Sequence, residues 1–198
     1  MNRRRTILLL MTLVLLLIAG ALAWKLSTVE GEPEAPAVAI GGPFRLVDQN
    51  GRPVDESVLK GKWSAVFFGF TYCPDVCPGT LQALNAAADH LGRDAGDFQI
   101  VFISVDPQRD TPAQMKAYLE GQSLRPGTLG LTGAPEQVAA AAKVYRAFFQ
   151  KEGEGDGYTM SHTTTAYLMN PRGRFDRPLG YGLTPEQMAE QITRAMRG

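Results

Sequence analysis

Short apolar runs alternate along the chain with longer stretches in which apolar residues recur at helical spacing. A continuous apolar run is typical of a strand that is covered on both faces, whereas the helical spacing is typical of an amphipathic helix. The apolar runs predict strands at Ser64–Phe70, Gln99–Val105, Thr128–Leu131, Thr164–Met169 and Phe175–Leu179. The periodic stretches predict helices at Pro78–Leu91, Thr111–Glu120, Pro135–Phe149 and Pro185–Met196.

The order of these elements predicts an α/β sandwich with helices on both faces of its sheet. Residues 44–54 are expected to form a hairpin ahead of it, because Asn50-Gly51, the strongest two-residue turn signal, separates two short extended stretches. The first two long strands and the helix between them predict a βαβ unit. Open sheets of this kind bind ligands at the carboxyl ends of their strands, so we expect the site at the end of Ser64–Phe70.

The N-terminal stretch from Thr6 to Trp24 contains no charged residue and follows three arginines, Arg3–Arg5. A run of this length is sufficient to cross a bilayer, and arginines before it favour a cytoplasmic N-terminus. We therefore expect residues 1–25 to be a transmembrane anchor, with the rest of the chain on the extracytoplasmic, periplasmic side. Residues 21–23, Ala-Leu-Ala, also fit a cleavage site, which leaves a signal sequence as the alternative.

The remaining chain divides into a linker and one domain. Residues 26–43 are rich in Gly, Pro, Glu and Ala without periodicity, which is typical of a linker. Residues 44–198 are long enough to bury a core of their own. The three anchor arginines account for part of the 20 basic residues, which leaves 17 against 20 acidic residues and no basic block. Nucleic acid is therefore not an expected partner.

Cys73 and Cys77 are the only cysteines, and the motif Cys-Pro-Asp-Val-Cys-Pro places them where a predicted strand meets a predicted helix. Residues i and i+4 of a helix share a face, so we expect both sulfurs to point the same way near the helix N-terminus. Free N–H groups there lower the pKa of a thiol, and thiolates bind soft metals or attack disulfides. The alternative is two buried cysteines that act as small apolar side chains, which the flanking prolines disfavour.

The two histidines differ in their settings. His162 precedes a strand that should neighbour the cysteine-bearing strand, whereas His90 lies at a predicted helix C-terminus, where a structural role suffices. Glu152–Gly157 alternates glycine with acidic residues, which predicts a mobile loop before His162. Two thiolates and one imidazole form a soft, low-coordinate ligand set that suits copper. The candidate metal ligands are therefore Cys73, Cys77 and His162.

One other metal and one other ligand are compatible with these residues. Zinc is the alternative metal, but structural zinc sites close with four protein ligands, and only three good ones are evident here. Cu(I) favours thiolates in low coordination, and an imidazole adds more to the binding of Cu(II). Met160, two residues before His162, could supply a thioether in transit, or it could pack in the core like any methionine.

Three motifs together resemble the Sco/SenC family. The first is the cysteine motif, with a proline after each cysteine. The second is Ile103–Pro107 followed by Arg109–Pro112, and the third is His162 ahead of Tyr167–Gly173. They stand in the same order as in the family and extend over roughly residues 43–197, nearly the whole of the predicted exported part.

The resemblance implies a thioredoxin-like fold, a membrane anchor and copper held by the two cysteines and the histidine. It also implies a copper metallochaperone, not an enzyme, that delivers copper to the binuclear copper site of cytochrome c oxidase or prepares that site. The oxidase's copper-site subunit would be the partner, with an upstream copper donor or thiol reductase as another. By position, Asp75 and Asp106 match acidic residues near the family's site, whereas Ser161 stands where the family often has an acid.

Thiol–disulfide exchange is the alternative function, in which Cys73 attacks, Cys77 resolves and the cysteines of the target copper site are reduced. Redox thioredoxins have two residues between their cysteines and a cis-proline before the facing strand. Here three residues intervene, and residues 136–170 contain no proline.

A peroxidase would need a lone activated cysteine with a partner arginine, and the two-cysteine motif does not supply that pattern. Because an extracytoplasmic dithiol can oxidise to a disulfide, copper binding would also require a reductant or pre-bound metal.

Overall fold

The computed structural model describes residues 11–21, Trp24 and residues 39–198. The chain divides into two compact units, Met1–Val38 and Ala39–Gly198. In the first unit residues 11–21 and Trp24 are helical, whereas the rest of the predicted anchor and most of the predicted linker lie outside the described residues. No helix within the described ranges is both long and apolar enough to cross a membrane. The anchor therefore remains a prediction from the sequence.

Strands and helices alternate through the second unit, close to the expected order. Its strands are β1 (Arg45–Asp48), β2 (Pro53–Asp55), β3 (Trp63–Gly69), β4 (Phe98–Ser104), β5 (Leu129–Thr132), β6 (Phe149–Glu152), β7 (Thr159–His162), β8 (Ala166–Met169) and β9 (Phe175–Leu179). Its α-helices are α1 (Val76–His90), α2 (Pro112–Gly121), α3 (Pro135–Tyr145) and α4 (Pro185–Arg197).

A seven-stranded mixed sheet with the order β2-β1-β5-β4-β3-β8-β9 forms the centre of this unit. β3, β4 and β5 are parallel, and the strands on either side of them are antiparallel. The expected βαβ unit is confirmed, because α1 connects β3 to β4 and the two strands pair from Trp63 opposite Phe98 to Gly69 opposite Ser104. The expected neighbour relation of β8 to β3 is confirmed as well.

Burial explains why the two central strands read as continuous apolar runs. Ser64–Gly69 of β3 and Ile100–Ser104 of β4 are buried at every position, so neither strand has a solvent-facing side. Around them α1 packs against α4, α2 against β5 and α3 against β1. The short connection of residues 70–75 places the carboxyl end of β3 close to the first turn of α1.

The N-terminal hairpin forms as the Asn-Gly pair predicts. Gly51 adopts a φ of +76°, which a residue without Cβ reaches without strain, and its N–H donates to the Asp48 carbonyl over 2.9 Å. The buried Asp48 carboxylate accepts hydrogen bonds from the backbone N–H groups of Asn50 and Arg52. The turn thereby supplies the partners that a buried carboxylate requires.

The predicted helix Pro135–Phe149 is too long by four residues, because α3 ends at Tyr145. Arg146 takes a left-handed conformation, with a φ of 54°, and Ala147 N–H donates to the Ala142 carbonyl as a helix-ending bond. The apolar spacing continues past Tyr145 to Phe149, so the periodicity alone could not reveal the end of the helix.

The predicted loop before His162, Glu152–Gly157, lies largely in a connection between two strands that the sequence did not predict. β6 and β7 form a separate two-stranded antiparallel sheet, with Phe149 opposite His162 and Glu152 opposite Thr159. Only residues 153–158 form the connection, and Gly155–Gly157 within it is a short 3-10 turn. His162 is therefore carried by the base of a hairpin rather than by a loop.

The helix end at Arg146 allows a direct test of backbone strain. Arg146→Gly should raise the free energy of unfolding by about 0.5–1 kcal/mol, because glycine adopts a left-handed conformation without the Cβ clash. Lys143→Gly, at an exposed position inside α3, should instead lower it by about 1 kcal/mol. Urea unfolding of both variants measures the difference, and equal losses of stability would contradict the assignment of strain to Arg146.

Candidate metal centre

The two cysteines lie where β3 passes into α1, but not on one helix face as expected. α1 begins at Val76, so Cys77 is in its first turn while Cys73 precedes the helix in a turn closed by Cys73 N–H and the Phe70 carbonyl. The Cys73 sulfur accepts the Cys77 N–H over 3.3 Å, in the manner of a helix-capping side chain. The turn, rather than the helical repeat, brings the sulfurs together.

Gly69, the last residue of β3, has no side chain and so leaves the space that the Cys77 sulfur occupies. A Cβ atom at position 69 would lie 2.7 Å from Cys77 Sγ and 2.8 Å from the Phe102 ring, closer than packed atoms approach. The sequence analysis did not single out this residue. A glycine at the end of an otherwise apolar strand is a signal of such a close approach and could have identified it.

The cysteines are in different protonation states. A hydrogen bond from the Cys77 side chain, helped by backbone N–H groups of Cys77 and Asp75, lowers the pKa of Cys73 to about 5. The same pairing, together with complete burial, raises the pKa of Cys77. Without a metal, these opposite shifts favour a half-buried Cys73 thiolate beside a buried Cys77 thiol.

His162 ends β7 and turns its ring toward Cys77. Its Nδ1 lies 2.9 Å from the Thr163 carbonyl oxygen, and its Nε2 lies 3.4 Å from Cys77 Sγ. A carbonyl can only accept, so Nδ1 donates to it, and the other ring nitrogen, Nε2, is the one that faces the sulfur. Phe67 and Phe70 pack edge-on against the imidazole, with ring centroids 6.0 and 5.8 Å away. This arrangement is typical of a histidine that ligates a metal through Nε2.

The three predicted ligands form one group, in which the two Sγ atoms and the imidazole nitrogen all lie within 4.8 Å of one another. Within the described residues, no fourth His, Cys, Asp or Glu joins the group. Two sulfurs and one nitrogen match the ligand preference of Cu(I), and the absence of a fourth such ligand there disfavours a closed structural zinc site.

The two acidic residues that the sequence placed near the site do not belong to the ligand group. Asp75 is exposed and directly precedes α1 without a side-chain capping bond. Asp106 is buried, and its carboxylate accepts from Arg109 Nε over 2.5 Å and from the Tyr158 hydroxyl over 2.6 Å. Asp106 therefore lies in a network beside the site.

A second buried carboxylate was missed by the sequence analysis. Asp110 is fully buried and accepts hydrogen bonds from Thr71 N–H, the Thr71 hydroxyl and the Ser104 hydroxyl. Burial raises the pKa of Asp110 despite these donors. The bonds connect the loop after β4 to the turn that carries Cys73. Asp110 stood in the quoted Arg109–Pro112 motif, but its contact is made by tertiary structure and had no local signal.

Met160 and His90 are the two other residues for which the sequence left a role open. Met160 is half-buried and lines a cavity of about 160 Å³ with Asp106 and Tyr158. Its thioether role stays a prediction. His90 ends α1 with its Nε2 3.4 Å from a Glu186 carboxylate oxygen on α4, in keeping with a structural role.

The shared proton predicts unequal reactivity of the reduced cysteines. Cys73 should be alkylated by iodoacetamide with a rate that rises to half its maximum near pH 5, because only the thiolate reacts and it forms above its pKa. Cys77 should stay unmodified in the folded chain, since it is buried and protonated. Mass spectrometry across a pH series measures both rates.

Cys77→Ala provides the control, because it removes the S–H donor and should move the Cys73 midpoint toward the ordinary cysteine value of about 8.5. A midpoint near that value in the unchanged chain would contradict the proton sharing between the two sulfurs.

Comparison with known proteins agrees with the resemblance in the motifs. The sequence profile of the SCO1/SenC family matches residues 32–197. The chain is 39% identical over 171 residues to the mitochondrial protein SCO1 homolog 1 of Arabidopsis thaliana, covering 85% of this chain and 51% of that protein. It is 42% identical over 154 residues to protein SenC of Rhodobacter capsulatus, covering 77% and 69%. The chain thus spans about half the length of the Arabidopsis relative.

Solved structures show the same fold. The structure of Bradyrhizobium japonicum ScoI with copper bound is 47% identical, with a TM-score of 0.71, over 79% of this chain and 99% of that one. The copper-bound ScoI of Arabidopsis thaliana is 40% identical, with a TM-score of 0.76, over 80% and 99%. These similarities confirm the thioredoxin-like α/β fold that the motifs implied.

Proposed function

The chain belongs to the SCO1/SenC family, and on that premise we propose that it is a copper metallochaperone. In this proposal Cys73, Cys77 and His162 bind one copper ion, and the protein delivers it to the binuclear copper site of cytochrome c oxidase or prepares that site. The observation that carries the proposal is the grouping of two sulfurs and one imidazole nitrogen within 4.8 Å. Copper in the related ScoI structures supports the choice of metal.

Each ligand has a distinct part in holding and releasing the ion. Cys73 is already a thiolate at neutral pH, so it can capture copper first. Cys77 must lose its proton to ligate, and loading at neutral pH therefore releases about one proton. His162 already presents its Nε2 to Cys77 Sγ at 3.4 Å, because Nδ1 is occupied with the Thr163 carbonyl.

The exposure of the site suits transfer of the metal. Cys77 is completely buried, whereas Cys73 is partly exposed next to the exposed Tyr72 and Pro74. Three protein ligands leave copper room for an incoming donor atom, which can approach from the Cys73 side. A ligand-by-ligand exchange with the copper-site subunit, or with an upstream copper donor, is consistent with this geometry.

The setting of the domain is also part of the proposal. The uncharged run Thr6–Trp24 would anchor the chain in a membrane, with Arg3–Arg5 in the cytoplasm and residues 44–198 on the extracytoplasmic side. Cys73 and Cys77 would there be exposed to oxidation to a disulfide. A thiol reductase, or copper loading before oxidation, would then keep the site competent.

Thiol–disulfide exchange is the second candidate, and the unequal cysteines favour it specifically. A half-buried thiolate of pKa about 5 beside a buried thiol is the arrangement of an attacking and a resolving cysteine. Such an enzyme would reduce the cysteines of the target copper site. Exchange chemistry, however, gives no role to His162, whose Nε2 is turned toward Cys77.

Removal of single ligands should have graded effects on copper. Cys73→Ala or Cys77→Ala should nearly abolish Cu(I) retention, since each removes a thiolate, whereas His162→Ala leaves a two-coordinate dithiolate that Cu(I) tolerates. Cu(II) should suffer most from His162→Ala. His90→Ala is the matched histidine control, because His90 pairs with Glu186 away from the ligand group. Competition titrations measure the affinities, and equal Cu(II) binding by wild type and His162→Ala would remove His162 from the site.

The histidine also separates the two candidate functions in cells. In a strain that lacks this protein, Cys73→Ser, Cys77→Ser and His162→Ala should each fail to restore oxidase activity under copper limitation. A thiol reductase would require both cysteines but not the imidazole. Full oxidase activity with His162→Ala, at normal protein levels and low copper, would therefore favour the reductase over the metallochaperone.

A further inference from the structure

The three ligands come from two segments that do not pair with each other as strands. Cys73 and Cys77 follow β3 of the seven-stranded sheet, whereas His162 belongs to the separate β6–β7 hairpin. At the base of that hairpin, Thr163 N–H donates to the Phe148 carbonyl, which closes the hairpin on itself. The His162 end of the hairpin continues after residues 163–165 into β8, which pairs with β3, so that end is already tied to the main sheet. Side-chain contacts must therefore set how the rest of the hairpin lies against the cysteine turn.

Tyr158 supplies one such contact at the far end of β7 from His162. Its hydroxyl donates to Asp106 Oδ1 over 2.6 Å, and its side chain is buried. Burial, together with this hydrogen bond, raises the pKa of Tyr158 to about 12, so the hydroxyl stays protonated and continues to donate. The hairpin is thereby held to the loop that follows β4.

Arg109 connects that loop to both ligand-bearing segments. Its Nε donates to Asp106 Oδ2 over 2.5 Å, and its Nη1 donates to the Tyr158 carbonyl over 2.9 Å. Its guanidinium carbon lies 3.6 Å from the centroid of the Tyr158 ring and 4.7 Å from that of Tyr72. Tyr72 directly precedes Cys73, so one cation contacts an aromatic ring from each half of the site.

The burial of the Arg109 side chain also favours a link between the hairpin and the cysteine turn. The side chain is only 17% exposed, and its Nη2 is buried without a hydrogen-bond partner in the described part of the chain. Apart from the Nη1 bond to the Tyr158 carbonyl, the outer part of the guanidinium contacts only aromatic rings, those of Tyr158 and Tyr72 and, at 5.9 Å, that of Phe70. Lys151 also approaches the Tyr158 ring, at 3.9 Å, but it belongs to the hairpin itself and cannot link the hairpin to the cysteine turn.

We propose that Arg109 is a positioning residue that holds the His162 hairpin in register with the Cys73 turn. It does so through the ring of Tyr158 on one side and the ring of Tyr72 on the other. The proposal rests on the proposed copper site. Because Cu(II) depends on the imidazole more than Cu(I) does, the consequence is that Arg109 tunes binding of the oxidised ion while touching none of the ligands.

Arg109→Met in the full-length chain tests the proposal, since methionine keeps an unbranched side chain but loses the cation and its donors. Cu(II) affinity should fall about tenfold and the sulfur-to-Cu(II) charge-transfer bands should shift, while Cu(I) affinity stays within about threefold. Arg109→Lys should bind Cu(II) more tightly than Arg109→Met but more weakly than wild type, because an ammonium keeps the charge without the planar donor set.

Arg125→Met is the matched control. Arg125 is also a half-buried arginine that donates to a backbone carbonyl, that of Ala95, but it contacts none of the rings beside the site. Its loss should leave both copper affinities and the charge-transfer bands unchanged. An equal fall in Cu(II) affinity in both arginine variants would reduce Arg109 to a general stability role and overturn the proposal.

Tyr72→Leu makes the coupling itself measurable and does not threaten the fold, since Tyr72 is 55% exposed. This change should weaken Cu(II) binding in the wild-type background and have no further effect with Arg109→Met, because the two substitutions break one connection. Additive effects of the two changes would contradict the bridge.

The metal-free chain gives a readout that does not depend on copper. In wild type the imidazole ¹⁵N signals should show a single tautomer protonated at Nδ1, whereas Arg109→Met should bring in a mixture of tautomers as the ring leaves Cys77. Unchanged His162 signals in Arg109→Met would overturn the positioning role even if copper binds as proposed. A failure of wild type to bind copper would contradict the proposed function. The ¹⁵N signals of His162 in the metal-free chain would still decide whether Arg109 positions the imidazole.

Discussion

The contact between Cys77 Sγ and His162 Nε2 joins two segments 85 residues apart, and the surrounding structure depends on making it. Gly69 leaves the space that the sulfur occupies, so the end of β3 cannot carry a side chain there. Phe67 and Phe70 face the imidazole edge-on, and the Thr163 carbonyl fixes its proton on the far nitrogen. The apolar strand thus serves the site as well as the core, because its own side chains form the wall behind the histidine.

The charged groups around this contact also restrict which atoms can bind a metal ion. The hydrogen bond between Cys73 and Cys77 lowers the pKa of the sulfur that solvent reaches and raises the pKa of the buried one, which favours negative charge on Cys73. Beside them, Asp106 and Asp110 are buried but fully occupied with donors, so neither is free to compete for a metal ion. Chemistry at the site is thereby confined to two sulfurs and one nitrogen. The same confinement permits either copper transfer or thiol exchange, and the histidine is what distinguishes them.

The sequence predicted those features whose cause is local. β3 and β4 were recognisable because strands buried on both faces have no polar alternation, and the first hairpin because Asn50-Gly51 determines its turn. The end of α3 was not, since Arg146 takes a left-handed conformation while the apolar spacing continues. The β6–β7 hairpin was missed because its composition is typical of a loop. The contacts of Arg109 with Tyr158, 49 residues away, arise only from tertiary packing and leave no periodic trace.

The central claim is that one metal ion is held by two sulfurs and one imidazole nitrogen. X-ray absorption at the copper edge, on the reduced full-length chain loaded with one equivalent of Cu(I), tests it most directly. The expected spectrum has a first shell of two sulfur scatterers and one nitrogen, from Cys73, Cys77 and His162. A shell of four sulfurs, or one made entirely of nitrogen and oxygen, would contradict it.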